Sequence, residues 1–381
     1  MSRAGKVLHV ITGLSTGGAE RYLRRLLEAG LAAAQEHHVL SLNDEGSQGE
    51  GIRMLGVPVH TLDLNSGIPT PASLQKFNAI VHSINPSIVQ GWMYHGNLAA
   101  YWAVQRMHPK PVQVWNIRWS LDTLRAEKVL TRIVVRANRF FSSRPDVTIY
   151  NSEAARDQHE AYGFRSRESQ TIYNGFDTSL FKPDPSVRAL VRQELGIPDD
   201  AIVIGNASRF HHAKGHRILV AAFKRCAIVN PSVHLVLAGP AVDIGKQELM
   251  SWCAEIPQER LHLLGEHSEM HKLLTALDVY CSSSLAEAFP NSVGEAMACG
   301  TPCVVTDVGD SAHLVGDTGW IVPANNVNQL AAALASTIAR PRPELSKLGE
   351  LARARIQQNF QIAQNAARYA DLYTHLQQRV S

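Results

Sequence analysis

Short apolar, β-branched runs recur along this 381-residue chain, and each is followed by a stretch with helical spacing. In the first half they are Val7 to Thr12, His38 to Leu42, Ile88 to Trp92, Val112 to Ile117 and Val147 to Asn151. In the second half they are Ile202 to Ala207, His234 to Ala238, Leu261 to Leu264, Val279 to Ser282, Cys303 to Thr306 and Trp320 to Val322. Runs that stay apolar from residue to residue fit parallel strands buried on both faces. Such strands alternating with helices build doubly wound α/β sheets. The length exceeds one ordinary core and favours two domains of about 150 to 200 residues each.

The pattern breaks in Asn174-Gly-Phe-Asp-Thr-Ser-Leu-Phe-Lys-Pro183-Asp-Pro185, a segment of turn formers without periodicity. A linker near residues 175 to 186 follows, with Rossmann-like domains over 1–180 and 181–360 and a helical tail over 361–381. In that tail Ile362, Ala366, Tyr369, Tyr373 and Leu376 share one helical face. No apolar run approaches the roughly 18 residues of a membrane span, and the opening Met1-Ser-Arg-Ala-Gly-Lys6 lacks a signal peptide's apolar stretch. The five cysteines, Cys226, Cys253, Cys281, Cys299 and Cys303, form no Cys-x-x-Cys pair. Reduced thiols in a cytoplasmic protein are the expectation.

The net charge is only +3, but residues 1–182 hold 20 Lys and Arg against 15 Asp and Glu. Much of that excess lies in residues 125–144, where Arg125, Lys128, Arg132, Arg136, Arg139 and Arg144 recur between apolar residues. This reads as a basic amphipathic helix, either a solvated face on a core helix or a contact for an anionic membrane surface. No nucleic-acid partner is expected.

Three segments carry candidate chemistry. The first is Glu287-Ala-Phe-Pro-Asn-Ser-Val-Gly-Glu295, in which two carboxylates bracket a turn that runs into a helix stopped by Gly300 and Pro302. Acids beside the positive end of a helix suit a ligand that combines an anion with several hydroxyls, such as a nucleotide sugar. Ser292-Val-Gly-Glu295 also matches a capping box, which gives Glu295 a purely structural alternative. The second segment, after strand Ile202 to Ala207, carries Arg209 and Lys214, a planar fork and a point charge able to converge on a diphosphate at a sheet's carboxyl edge. The third is Gly13-Leu-Ser-Thr-Gly17-Gly18-Ala-Glu20, which offers close backbone approach and a helix start, or else a plain βα turn. Its spacing is not the Gly-x-Gly-x-x-Gly of dinucleotide folds. His37, His38, His211, His212 and His216 lack metal-ligand spacing, and Asp-x-Asp is absent, Asp63-Leu-Asn65 being the nearest fragment.

Taken with Ala296-Met-Ala-Cys-Gly300-Thr-Pro302, the acidic segment resembles the retaining glycosyltransferases of family 4, which have the GT-B fold of two Rossmann-like domains facing a cleft. The likeness spans nearly the whole chain, through Gly13 to Glu20, Tyr173-Asn174-Gly175-Phe-Asp177, Arg209 and Lys214 with Gly215, Gly265, and Thr318-Gly319-Trp-Ile-Val-Pro323. It implies that Arg209 and Lys214 bind the donor diphosphate, Glu295 the ribose and Glu287 the donor sugar. Backbone amides at Phe289, Asn291 and Ser292 would meet sugar and phosphate, with Gly17 and Gly18 closing from the other domain. The tail would cross back to the first domain. Many members carry a histidine after a mid-sheet strand of that domain, where this chain has Val114-Trp-Asn116-Ile-Arg118-Trp-Ser120; His95, Asn116 and Arg118 are the acceptor-side candidates.

The resemblance thus implies metal-independent, retaining transfer from a UDP- or GDP-sugar to a hydroxyl on a glycan or lipid-linked acceptor, in polysaccharide or lipopolysaccharide biosynthesis at the bacterial envelope. A GT-B epimerase and a non-catalytic nucleotide-sugar-binding subunit are the rival readings. An oxidoreductase is disfavoured by the glycine spacing.

Overall fold

The computed structural model describes residues 5–15, 17–64 and 69–379; Thr16 of the glycine loop and Asn65 lie outside them. The chain divides into one unit of Met1–Gly175 with Ile362–Ser381 and another of Phe176–Gln361.

The first unit is built on seven parallel strands: β1 Lys6–Ile11, β2 Glu36–Ser41, β3 Val59–Thr61, β4 Ile88–Trp92, β5 Val112–Ile117, β6 Val147–Tyr150 and β7 Ser169–Thr171. Their order is β3-β2-β1-β4-β5-β6-β7. Side chains alternate across the sheet, so Val7 and Ile11 of β1 enter one core while Leu8 and Val10 enter another. The first core takes Tyr22, Leu23 and Leu26 from the helix Gly18–Leu26 and Ile362, Ala366, Tyr369, Tyr373 and Leu376 from the C-terminal helix Ile362–Gln378. The second takes Phe77, Val81, Ala100 and Val104 from helices on the opposite face.

The second unit holds β8 Ile202–Ala207, β9 Val233–Ala238, β10 Leu261–Leu263, β11 Val279–Ser282, β12 Cys303–Thr306 and β13 Trp320–Val322, ordered β10-β9-β8-β11-β12-β13, all parallel. Every apolar run singled out in the sequence falls on one of these thirteen strands, with bounds moved by at most two residues. The strands without such a run, β3 and β7, are sheet edges whose residues are mostly half-buried.

The basic stretch 125–144 is shorter as a helix than its periodicity suggests. A 3₁₀ turn at Leu121–Ala126 ends in extended Glu127, and the α-helix covers only Val129–Phe141, leaving Arg125 and Arg144 outside it. The five cysteines are buried and unpaired, and burial pushes the Cys226 and Cys253 thiols up to about 11. Among the described residues no helix is long and apolar enough to cross a membrane.

His37 and His38 point to opposite faces of β2, as strand pleating requires. His37 stacks on His9 with ring nitrogens 2.9 Å apart, beneath Tyr373, while His38 stacks on His60. Burial holds His37 down to about 4, and burial together with His37 holds His9 well below the ordinary imidazole range. Buried His159, bonded to the Tyr94 hydroxyl at 2.6 Å, is likewise lowered to about 4. The unfolded chain therefore takes up protons below about pH 6.5 that the folded chain refuses, and stability falls as pH drops from there toward 4. The urea midpoint is expected to be lower at pH 5 than at pH 7; an equal or higher midpoint at pH 5 contradicts this.

Candidate active site

In each sheet the strand order reverses beside the first strand of its unit, between β1 and β4 and between β8 and β11. Such a reversal sends neighbouring loops to opposite faces and opens a crevice at the carboxyl edge. Most of the residues singled out in the sequence lie on these loops or on the helices that follow them; Asn116 lies in β5 and Arg118 directly after it.

In the second unit, β8 leads through Arg209 to a 3₁₀ turn at His212–Lys214 and then Gly215, which caps the helix His216–Val229. Gly215 has φ +64°, and a Cβ there would stand 2.0 Å from the Ser283 carbonyl oxygen. Glycine is required because the β8 and β11 loops touch backbone to backbone. Ser283 Oγ strengthens this contact by donating to the carbonyls of Lys214 at 3.1 Å and Gly215 at 3.0 Å.

The same loops join through charge. Lys214 Nζ lies 2.5 Å from Glu287 Oε1, with both side chains largely shielded from solvent, and Ser284 Oγ donates to that same oxygen at 2.8 Å. Both contacts fall on Oε1. Ser284 is held in turn by Thr306 at the end of β12, whose hydroxyl donates to the Ser284 carbonyl at 2.6 Å. The β12 loop also supports the acidic segment, where Asp310 N–H donates to the Ala288 carbonyl at 3.0 Å and a Cβ on Gly309 would stand 2.2 Å from the Glu287 carbonyl oxygen.

Phe289 is buried, stacked on Phe176 and tilted against Phe360, and anchors the turn between Glu287 and the helix Asn291–Ala298. That helix starts earlier than a capping box allows. Pro290 is its N-cap, no side chain caps it, and Ser292 lies within its first turn, accepting the Tyr280 hydroxyl at 2.7 Å. The capping reading of Glu295 is therefore not realised. Half-buried, Glu295 lies one helical turn beyond Asn291 and Ser292. Arg209 is exposed. His216, read in the sequence only as a histidine without metal-ligand spacing, sits buried under this loop between Phe210 and Ser208, its pKa pulled down to about 4 chiefly by burial and then by Lys214. No sequence signal marked it as a support for the cation loop.

In the first unit Gly17 and Gly18 are exposed at the start of their helix, and the Glu20 carboxylate folds back over Gly17, 2.0 Å from where a Cβ would stand. Burial raises the Glu20 pKa. The three acceptor-side candidates fall in different settings. Asn116 is fully buried in β5 and donates to the Tyr369 hydroxyl at 2.8 Å. Arg118 is half-buried, its guanidinium 3.7 Å from the Tyr22 ring centre and bonded to Asn174. His95 is exposed in the first turn of the helix Met93–Gln105, directly after β4. Among the described residues no three His, Cys, Asp or Glu side chains gather as a metal site would require.

The chain superposes on Anabaena HepE, solved in complex with UDP and glucose, with a TM-score of 0.82 at 22% identity, covering 97% of this chain and 100% of that one. It matches a glycosyltransferase from Rickettsia africae ESF-5 with a TM-score of 0.82 at 15% identity, covering 98% and 99%. Two doubly wound parallel sheets with loops converging at their switch points are thus the GT-B fold. Residues 16–180 match the model described as Glycosyltransferase Family 4, and residues 201–340 that described as Glycosyl transferases group 1. The chain is 26% identical over 297 residues to the lipopolysaccharide core biosynthesis mannosyltransferase LpsB of Rhizobium meliloti (strain 1021), covering 71% of this chain and 82% of that protein. It is 27% identical over 252 residues to a GDP-mannose-dependent alpha-(1-6)-phosphatidylinositol monomannoside mannosyltransferase of Mycolicibacterium smegmatis, covering 62% and 64%. The chain belongs to the family 4 glycosyltransferases.

The Gly215 contact makes a specific prediction. Gly215→Ala forces both a strained φ and a backbone collision, so it is expected to lower unfolding free energy by about 2 kcal/mol or more. A urea melt that matches the parent within error would contradict the packing described here.

Proposed function

We propose that the protein is a retaining, metal-independent glycosyltransferase that moves a sugar from a nucleoside diphosphate donor to a hydroxyl on a glycan or lipid-linked acceptor. The observation that carries this reading is the meeting of Lys214 and Glu287 at the β8–β11 switch point, with Arg209 on the same loop. Relatives named for lipopolysaccharide core synthesis and for a phosphatidylinositol mannoside support the acceptor class. HepE, solved with UDP and glucose, supports a nucleoside diphosphate sugar as donor.

The donor diphosphate is the leaving group. As the glycosidic bond breaks, negative charge grows on its β-phosphate, and Lys214, Arg209 and the start of the helix Asn291–Ala298 would stabilise it. Amides of Phe289, Asn291 and Ser292 line the same turn. Two cations supply the charge that a divalent ion would otherwise bring to the phosphates. Glu287 holds Lys214 through Oε1 and offers Oε2 to a sugar hydroxyl, and Glu295 reaches the ribose. With no carboxylate assigned as nucleophile, the acceptor attacks from the face the diphosphate leaves, and the departing phosphate takes its proton.

Of the acceptor-side candidates, exposure favours His95. Asn116 is engaged with Tyr369 in the core, and Arg118 is held on Tyr22 and Asn174.

Arg209→Ala and Lys214→Ala are each expected to lower turnover by about two to three powers of ten with melting little changed for Arg209→Ala. Near-parental rates in both variants would sink the assignment. His95→Ala is expected to raise the acceptor KM or lower turnover while leaving nucleotide affinity unchanged, read by steady-state kinetics and calorimetry. Unaltered kinetics would remove His95 from the acceptor side.

A further inference from the structure

The helix Val129–Phe141 leaves an apolar surface in solvent that the first unit's cores do not use. Val129, Leu130, Ile133 and Phe140 are 61%, 67%, 52% and 80% exposed, while Val135 and Asn138 are buried. At 3.6 residues per turn, Val129, Ile133, Arg136 and Phe140 fall within about 60° of one another around the axis. Lys128, Arg132 and Arg139 follow along one flank of that ridge, and Leu130 lies on the other. Phe141, edge-on to Phe140 at 4.9 Å, stacks on Tyr101 of the helix Met93–Gln105 at 4.7 Å, which braces the aromatic end of the ridge.

An apolar ridge with cations beside it matches the boundary between acyl chains and anionic headgroups, where aliphatic and aromatic side chains enter and Lys and Arg reach phosphates. A second copy of the chain fits poorly. A two-fold interface would bring Arg132, Arg136 and Arg139 against their own images, like charges facing like.

We propose that this face docks the enzyme on an anionic lipid bilayer, with Ile133 and Phe140 entering the interface and Lys128, Arg132, Arg136 and Arg139 pairing with headgroup phosphates. The proposal rests for its purpose on the reading of a lipid-linked acceptor. Vesicle binding is measured without donor or acceptor, however, so failure of either claim is seen separately.

The test is flotation of the full chain with phosphatidylcholine vesicles, with and without phosphatidylglycerol, at low and raised salt. Binding is expected only with phosphatidylglycerol and is expected to weaken with salt. Arg132→Gln and Arg136→Gln should each lower the partition coefficient about fivefold, and Ile133→Asp and Phe140→Asp about tenfold or more, with parental melting because Ile133, Arg136 and Phe140 are exposed and Arg132 is only half-buried. Absence of binding, or equal binding to neutral and anionic vesicles, overturns the proposal. So does a dimer in sedimentation velocity that Ile133→Asp dissolves, which would assign the face to a second copy.

Discussion

Ser283 bonds the carbonyls of Lys214 and Gly215, and the rest of the geometry around Lys214 hangs from that contact. It is possible only because residue 215 has no side chain: any Cβ would collide with the Ser283 carbonyl. With the β8 and β11 loops locked together, Glu287 holds the Lys214 ammonium at the crevice, and Ser284 holds Glu287. A cation fixed in place before a phosphate arrives needs little reorganisation as charge develops, which is what electrostatic catalysis demands. The β12 loop braces the arrangement from behind through Thr306 and Gly309.

The two sheets share a plan but differ at their switch points. In the second unit the crevice is lined by opposite charges on short, backbone-packed loops. In the first it carries exposed glycines and His95, with Glu20 folded over Gly17. A charged, rigid crevice suits the constant diphosphate part of a donor.

Much of the fold was legible because central parallel strands must be apolar on both faces, as in Ile88 to Trp92 or Val233 to Ala238. Val59–Thr61 and Ser169–Thr171 escaped notice because an edge strand is covered less and tolerates polar residues. The capping box at Ser292 was a true local pattern that lost to tertiary context: Pro290 starts the helix early and Tyr280 claims the Ser292 hydroxyl. The charged site residues could be named from type and spacing, but their contacts could not. Nothing in the sequence says that Lys214 meets Glu287 across 73 positions, or that Asn116 faces Tyr369 of the last helix.

A crystal structure with a nucleoside diphosphate bound, grown in the presence of a chelator, tests the central claim most directly. The diphosphate is expected at the carboxyl ends of β8 and β11, with phosphate oxygens within hydrogen-bond reach of Lys214 Nζ and the Arg209 guanidinium. A diphosphate bound elsewhere, or one that binds this crevice only when a divalent ion is restored, would contradict it.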